Sequence, residues 1–312
     1  MNLSVYLYGI CIVVGILLCL LAYLKMTKDS KMSYKAQSFY FNVAFFAIVL
    51  GFGSAALFQA FYNWRATGSW EWKGITFIGG LIGGIAVFVA AYFLFAKPSN
   101  KRWFHLVLEI APSCILIAHA FGRLGCFFAG CCYGAKTDSF LGIGGAMSPD
   151  AATRYPTQLI EAIYCFVLFA VTVFMFYKKI RFTMPVYLGT YGVARILIEL
   201  MRDDYRGTFL FGLSPSTFWA IMMILAAGAM VFLYIKLGRG EKLDALIEQS
   251  KAGTLPVIEK ETDLSLFDKG FKAVMLKING GKKEKAAETA VKKDTPEKPE
   301  ADKKEESEEK KD

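Results

Sequence analysis

The sequence predicts an all-α integral membrane protein with seven transmembrane helices and a charged C-terminal tail. The chain of 312 residues is 55% hydrophobic, and its charged side chains are concentrated towards the C-terminus. Its apolar residues form seven runs, each close to the ~20 residues that a helix needs to cross a bilayer. The runs lie at about 3–24, 40–61, 75–96, 103–121, 158–177, 183–200 and 215–236.

The charge distribution indicates lipid as a partner. Residues 237–312 hold 17 of the 36 basic and 18 of the 27 acidic side chains, so residues 1–236 keep 19 basic and 9 acidic ones. The basic side chains of this apolar body flank its apolar runs, which favours contact with anionic lipid. No motif predicts a basic surface for nucleic acid. We therefore expect membrane lipids as partners, no nucleic acid and no cofactor.

The loops that follow the first, third and fifth runs set the expected orientation. They contain ten basic residues and one acid, Asp29, whereas the opposite loops mix seven basic residues with five acids. The positive-inside rule then places the N-terminus outside and the C-terminus in the cytoplasm. The first run lacks a basic leader and a small-residue cleavage site, so we expect it to remain as the first helix.

Composition divides the chain into three segments. Residues 1–236 are the predicted seven-helix membrane domain, 237–280 a cytoplasmic linker, and 281–312 a disordered Lys/Glu-rich tail. Within the linker, the apolar residues from Phe267 onwards repeat on one helical face. This pattern indicates either a short amphipathic helix on the membrane surface or a weakly patterned linker. In the third run, FIGGLIGG places glycines four residues apart, which predicts close helix packing.

The sixth run contains ionisable residues, which are costly inside a membrane and call for an explanation. Tyr191, Arg195 and Glu199 are spaced by four residues and so share one helical face. Two interpretations remain open. Arg195 and Glu199 can form an intrahelical pair that makes each charge tolerable at depth, or the three residues can serve a functional site.

A second cluster, HAFGRLGCFFAGCCYG at 119–134, begins the longest loop between runs, residues 122–157. The glycines after Arg123 predict a turn that begins directly after this residue. A guanidinium beside free backbone N–H groups would cradle a phosphate at headgroup depth. The alternative is an interfacial arginine that extends to water and anchors its helix.

The segment GRLGCFFAGCCYG resembles the signature of prolipoprotein diacylglyceryl transferases, whose usual form is G-R-x-G-N-F-x-N-x-E-x-x-G. Further stretches over about residues 3–236 agree with that family in the same order. They are SVYLYGI, FIGGLIGG, RYPTQLIEA at 154–162, YG-x-x-R-x-x-x-E at 191–199 and GLSPSTFW at 212–219.

The resemblance implies an enzyme of the bacterial inner membrane that moves the diacylglyceryl group of phosphatidylglycerol onto a cysteine thiol. The acceptor would be the lipobox cysteine of a prolipoprotein signal peptide, and glycerol phosphate would leave. The resemblance also implies catalytic roles for Arg195, Tyr191, Glu199 and Tyr8. It implies that Arg123 binds the lipid phosphate, together with Gly122, Gly125 and Gly134.

Several positions depart from the family pattern. Ile78 stands where the family usually has the histidine proposed as the base for the thiol. His119 is the one plausible imidazole on the outer side and becomes the candidate base. Alternatively, His119 is an interfacial side chain, and a cationic site supplies enough thiolate without a base. Two other functions stay open: a paralogue that uses another acceptor, and a lipid-binding protein without catalysis.

Three cysteines of the outer loop replace or flank polar residues of the signature. Cys126 and Cys131 stand at positions of Asn and Glu, and Cys132 follows directly. A disulfide from Cys126 to Cys131 or Cys132, plain packing, and a covalent lipid carrier all remain open. Beyond His119 we see no outer histidine or carboxylate at ligand spacing, and we expect no metal site.

Overall fold

The structure, a computed structural model, describes residues 3–72, 77–144, 152–202, 212–256, 265 and 268–269. The regular structure of these ranges is helical, apart from two isolated β-bridges that join Arg154 to Lys136 and to Ile143. The helices are α1 (Leu3–Asp29), α2 (Tyr34–Thr67), α3 (Phe77–Phe95), α4 (Pro98–Lys101), α5 (Phe104–Phe128), α6 (Thr157–Tyr177), α7 (Thr183–Leu200), α8 (Pro215–Leu237) and α9 (Arg239–Ala252).

The length and composition of the helices confirm a multi-pass membrane protein. Five stretches are long and apolar enough to cross a bilayer: Tyr6–Asp29, Tyr34–Arg65, Phe104–Phe128, Thr157–Tyr177 and Pro215–Leu237. Helix α3 adds a shorter apolar stretch, Ile82–Phe95. Helix α7 coincides with the sixth predicted run and carries its ionisable residues. Seven crossings therefore remain a prediction, while an all-helical membrane domain is established.

Helix α5 lies at the centre of the bundle. It packs against α1 and α6, and α7 packs against α8. One cluster of buried side chains surrounds Trp103 and Leu106 near the start of α5, and a second surrounds Leu116 and Ala120 further along it. Helix α1 buries few of its apolar side chains, as expected of a helix whose surface faces lipid.

The glycines of FIGGLIGG confirm the predicted close packing, because they lie against helix α2. A Cβ atom at Gly79 would lie 2.6 Å from the Cβ of Phe58, and one at Gly83 would overlap the side chain of Ser54. The Ser54 hydroxyl also donates a 2.8 Å hydrogen bond to the carbonyl oxygen of Gly79. Small residues thus let the two backbones approach and form a polar contact inside an apolar pair.

The ends of the helices that carry the three basic loops come together at one end of the bundle, here called the basic end. There the Tyr177 hydroxyl donates a 2.7 Å hydrogen bond to Asp29, which joins the end of α6 to the end of α1. The Ser250 hydroxyl donates a 2.6 Å bond to the carbonyl oxygen of Lys31. The C-terminal ends of α1 and α6 therefore lie at the same end of the bundle, as the predicted topology requires.

Helix α9 lies within the segment predicted as a linker and was not anticipated from the sequence. It buries Leu243 and Ile247, four residues apart, against the basic end. Arg181, at the start of α7, donates to Asp244 with distances of 2.9 and 2.7 Å. The amphipathic helix predicted from Phe267 lies outside the described residues except for positions 268 and 269, and the tail 281–312 lies wholly outside them.

Substituting Gly83 by Val should separate α2 from α3 and destabilise the protein. The added side chain overlaps Ser54, and overpacking of this kind costs about 1–3 kcal/mol. The matched control is Gly53→Val on α2, where a Cβ atom meets nothing within 4 Å. Thermal unfolding in detergent micelles should show a lower midpoint for Gly83→Val and an unchanged one for the control. Equal midpoints would contradict the close packing.

Candidate active site

At the end of the bundle opposite the basic end, here called the site end, a buried carboxylate is bound by residues of two neighbouring helices. Glu161 lies in the second turn of α6 and is 1% exposed. Its Oε2 atom lies 3.1 Å from Nε of Arg123 on α5 and 3.7 Å from Nη1 of Arg195 on α7. The two arginines that the sequence singled out thus meet on one carboxylate.

The second oxygen of Glu161 has its own partners. The Tyr191 hydroxyl donates a 2.7 Å hydrogen bond to Oε1, and Nε2 of His119 lies 3.4 Å from the same atom. The Nε–H of Arg123 points at Nε2 of His119 over 3.2 Å. The rings of His119 and Tyr191 are adjacent, with centroids 5.4 Å apart. These five side chains form the Glu161 network.

A further layer orients Arg195. Its Nη2 group donates to Oε2 of Glu199 over 3.1 Å and to the hydroxyl of Ser216 over 2.9 Å. The Ser214 hydroxyl donates a 2.8 Å bond to Oε1 of Glu199 and accepts from the backbone N–H of Thr217, so it also caps α8. The intrahelical pair of Arg195 and Glu199 predicted from the sequence is therefore confirmed.

That pair does not account for all of Arg195. The Nη1 group is buried and has no hydrogen-bond partner among the described residues. A buried donor without an acceptor costs about 1–3 kcal/mol, so such a donor calls for an explanation. Glu161 lies 3.7 Å from Nη1, beyond hydrogen-bonding distance, so a phosphate oxygen placed closer would remove this cost. With Glu199 included, the charges balance, because two guanidinium groups face two carboxylates.

Glu161, Ser214 and Ser216 are the site residues that sequence reasoning missed. Glu161 is the one charged residue in the fifth apolar run, which is the same signal that singled out Arg195. The motif RYPTQLIEA contains it, but its partners lie on other helices. The two serines belong to GLSPSTFW, a segment predicted without any role for its side chains.

The expected glycine-rich turn directly after Arg123 is wrong, because α5 continues through Phe128. Gly122 and Gly125 therefore lie inside a helix, where their amides bond to the preceding turn and are not free for a phosphate. A Cβ atom at Gly125 would lie 3.0 Å from the Tyr8 ring, whereas one at Gly122 would meet nothing within 4 Å. Tyr8 thus packs on the last turns of α5, outside the Glu161 network.

The loop after α5 is held through its backbone. The Gln158 amide donates a 2.5 Å hydrogen bond to the carbonyl oxygen of Cys131. The carbonyl oxygen of Cys132 accepts from the Thr157 hydroxyl over 3.0 Å and from Nη1 of Arg202 over 2.8 Å. These hydrogen bonds hold the loop through its carbonyl oxygens, at positions where the chain has cysteines instead of the polar residues of the signature.

The three loop cysteines lie close together. They are free thiols, and the sulfur atoms of Cys126, Cys131 and Cys132 all lie within 4.8 Å of one another. A hydrogen bond from the Cys126 thiol, together with the Arg123 guanidinium, lowers the pKa of the Cys132 thiol to about 5. Of the three alternatives that the sequence left open for these cysteines, the disulfide is not formed in the structure. Cys132 is the member of the group that most readily carries negative charge.

Gly134→Ala should destabilise this loop, because a Cβ atom there would lie 2.7 Å from the carbonyl oxygen of Met201 and 2.8 Å from Tyr155. The neighbouring atoms are a backbone oxygen and a Cβ atom, so they can move away only if the backbone itself shifts. Gly122→Ala is the matched control. Gly134→Ala should lose about 1–3 kcal/mol of free energy of unfolding, which lowers the midpoint of thermal unfolding by several degrees. Gly122→Ala should leave the midpoint unchanged. A stable Gly134→Ala protein would refute the close approach.

Comparison with known proteins agrees with this geometry. A family model described as prolipoprotein diacylglyceryl transferase matches residues 1–233. Among similar proteins, phosphatidylglycerol–prolipoprotein diacylglyceryl transferase 2 of Clostridium perfringens (strain 13 / Type A) is 29% identical, covering 77% of this chain and 95% of the relative. The transferases of Clostridium tetani (strain Massachusetts / E88) and Streptococcus equi subsp. equi (strain 4047) are 31% and 28% identical, each over 74% of this chain and 93% and 91% of the relative. The chain belongs to the prolipoprotein diacylglyceryl transferase family.

Proposed function

We propose that this protein transfers the diacylglyceryl group of phosphatidylglycerol to the lipobox cysteine of a prolipoprotein signal peptide. Membership of the family supports this reaction, as do the names of the relatives. The observation that carries it is the pair of guanidinium groups at the site end, with the buried Nη1 of Arg195 lacking an acceptor. Lipid phosphate is an anion that such a pair binds well.

In the proposed reaction the acceptor thiolate attacks the glycerol carbon that carries the phosphate. A carbon–sulfur bond forms, and the bond between this carbon and the phosphate oxygen breaks. The electrons of the broken bond leave with glycerol phosphate. The leaving phosphate gains charge as this bond breaks. Arg123 and Arg195 stabilise that charge more in the transition state than in the bound lipid, which lowers the barrier.

The other site residues act around the two arginines. Glu199 fixes the guanidinium of Arg195, and Tyr191 fixes Glu161 on the face shared with both arginines. Tyr8 packs beside Gly125, near the end of α5 that carries Arg123. Gly125 allows the close approach of α1 to α5, Gly134 allows close packing within the loop, and Gly122 leaves the surface beside Arg123 open for phosphatidylglycerol.

The reaction also fixes a placement in the membrane. We propose seven crossings of the bacterial inner membrane, with the N-terminus outside and the C-terminus in the cytoplasm. The basic loops at one end and the site at the other support this orientation, because the cysteine of a secreted precursor is modified on the outer side. Residues 1–236 are then the catalytic membrane domain, 237–280 a cytoplasmic segment that begins with α9, and 281–312 its charged tail.

A membrane assay with labelled phosphatidylglycerol and a prolipoprotein substrate tests the function directly. We expect the label on the substrate cysteine and release of glycerol phosphate. Phosphatidylglycerol turnover without a cysteine substrate would favour a paralogue with another acceptor. Lipid binding without turnover would favour a non-catalytic lipid-binding protein. Complementation of a strain depleted of its own transferase provides the same test in cells.

Arg123→Lys and Arg195→Lys should each nearly abolish transfer. An ammonium group cannot copy a bidentate guanidinium, and the loss of such a charged hydrogen bond costs about 2–4 kcal/mol, or roughly 30- to 1000-fold in rate. Arg65→Lys, at an exposed position on α2, is the matched control and should leave the rate unchanged. Normal transfer by both site variants would sink the phosphate assignment.

We propose that His119 positions Arg123 instead of taking the proton of the thiol. Its Nε2 atom accepts from Arg123, so this nitrogen could take a proton only if that hydrogen bond broke. His119→Gln keeps an acceptor for Arg123 and should retain transfer within about threefold, whereas His119→Leu should lose about tenfold or more. Rates measured between about pH 6 and 9 decide the question. A loss near 100-fold in His119→Gln that shrinks at high pH would restore His119 as the base.

A further inference from the structure

The three cysteines beside Arg123 form a site that the reaction described above does not use. Cys126 lies in the last turn of α5, and Cys131 and Cys132 follow in the loop. Their sulfur atoms all lie within 4.8 Å of one another. Cys131 is exposed and the other two are half-buried, so the group is open to the outside on one face. Among the described residues, these three sulfur atoms are close enough together to be ligands of one metal ion.

The loop does not need these thiols for its own stability. Gln158, Thr157 and Arg202 hold the carbonyl oxygens of Cys131 and Cys132, and the Cys131 N–H donates to the carbonyl oxygen of Cys126 over 3.1 Å. Cys132 nevertheless has a φ of 63°, in the left-handed region that residues other than glycine seldom adopt. Strain of this kind at a converged group of side chains points to function.

Three converging thiolates are ligands for a thiophilic cation such as Zn²⁺. A tetrahedral zinc ion with bonds of about 2.3 Å separates its sulfur ligands by about 3.8 Å, so movements of about 1 Å bring these sulfurs into range. Three protein ligands and one open position are typical of catalytic zinc, whereas structural zinc is closed by four. A zinc ion with three thiolates has a net charge near −1, which Arg123 and Arg202 beside the group would offset.

We propose that Cys126, Cys131 and Cys132 bind Zn²⁺ and that its open position takes the acceptor thiol of the substrate. This inference rests on the proposed function, and it identifies how the thiol is activated in a chain that has Ile78 where relatives carry a histidine and whose His119 faces Arg123. A thiol that coordinates zinc is deprotonated outright at neutral pH. The ion would thus replace a general base.

The step balances without any further reactant. The acceptor thiol displaces water from zinc, its S–H bond breaks, and the proton passes to the outer solvent. The zinc-bound thiolate then attacks the glycerol carbon of the lipid beside Arg123. As the carbon–sulfur bond forms and the carbon–oxygen bond breaks, the thioether leaves zinc and water returns. No electron is gained or lost, so neither an oxidant nor a reductant is required.

Metal content tests the site itself. Protein purified in detergent without chelator, loaded with zinc sulfate and dialysed, should retain about one Zn²⁺ per chain. The variant with all three cysteines replaced by serine should retain at least about tenfold less. Cys19→Ala, inside α1, is the matched control and should bind like the parent. Equal zinc in parent and triple variant, or no zinc in a folded parent, would overturn the proposal.

Cobalt tests the open position. Co²⁺ bound to thiolates absorbs in the near ultraviolet, and a further thiolate ligand increases this band. Adding a lipobox peptide to the Co²⁺-loaded parent should increase the absorption, and the same peptide with serine for cysteine should not. An identical response to both peptides would refute acceptor binding.

Mass spectrometry and the transfer assay separate the remaining outcomes. A parent purified without reductant that carries a disulfide among these cysteines, or a lipid adduct on one of them, would overturn the metal site. A parent that transfers lipid fully in the absence of bound zinc would overturn the inference and leave the proposed function standing. Zinc binding with the cobalt response to the cysteine peptide supports the inference even in a preparation where transfer fails, and that failure would count against the function alone.

Discussion

The need to neutralise one buried carboxylate governs the site end of this protein. An ionised Glu161 in an apolar bundle would be prohibitively costly without partners, and those partners come from α5 and α7. Arg123 would be equally costly without it, and Arg195 would keep only Glu199 as a counter-charge. The three helices are therefore held in one relative position by mutual charge compensation. The guanidinium groups are fixed before any substrate arrives, which is the condition for electrostatic catalysis.

The sequence predicts those parts of the structure that depend on local spacing. Apolar runs of membrane length mark the helices, and spacing by four residues correctly pairs Arg195 with Glu199. Glu161 could not be placed in this way, because its partners lie on other helices and their proximity is a property of packing. The turn expected after Arg123 failed for a related reason. Gly125 is tolerated inside α5 because Tyr8 packs closely over it, and a single glycine does not end a helix that packing supports.

Helix α9, at the basic end, could not be predicted from the pattern of apolar residues. Its buried surface consists of little more than Leu243 and Ile247, too few apolar positions to predict a docked helix. Contacts with residues far away in the chain also hold it, among them the ion pair of Asp244 with Arg181 and the hydrogen bond from Ser250 to the carbonyl oxygen of Lys31. Such contacts join segments that are distant in the sequence, so a local pattern cannot predict them.

The pairing of Glu161 with both arginines has a consequence for lipid affinity. A phosphate that enters the site competes with the Glu161 carboxylate, because each guanidinium group already interacts with that carboxylate in the free protein. Ground-state binding of phospholipid is weakened accordingly. For a substrate that is itself a component of the bilayer this is an advantage, because its local concentration is high and tight binding would only slow exchange. We therefore expect the resident carboxylate to weaken binding of the phospholipid in the ground state and to speed its exchange.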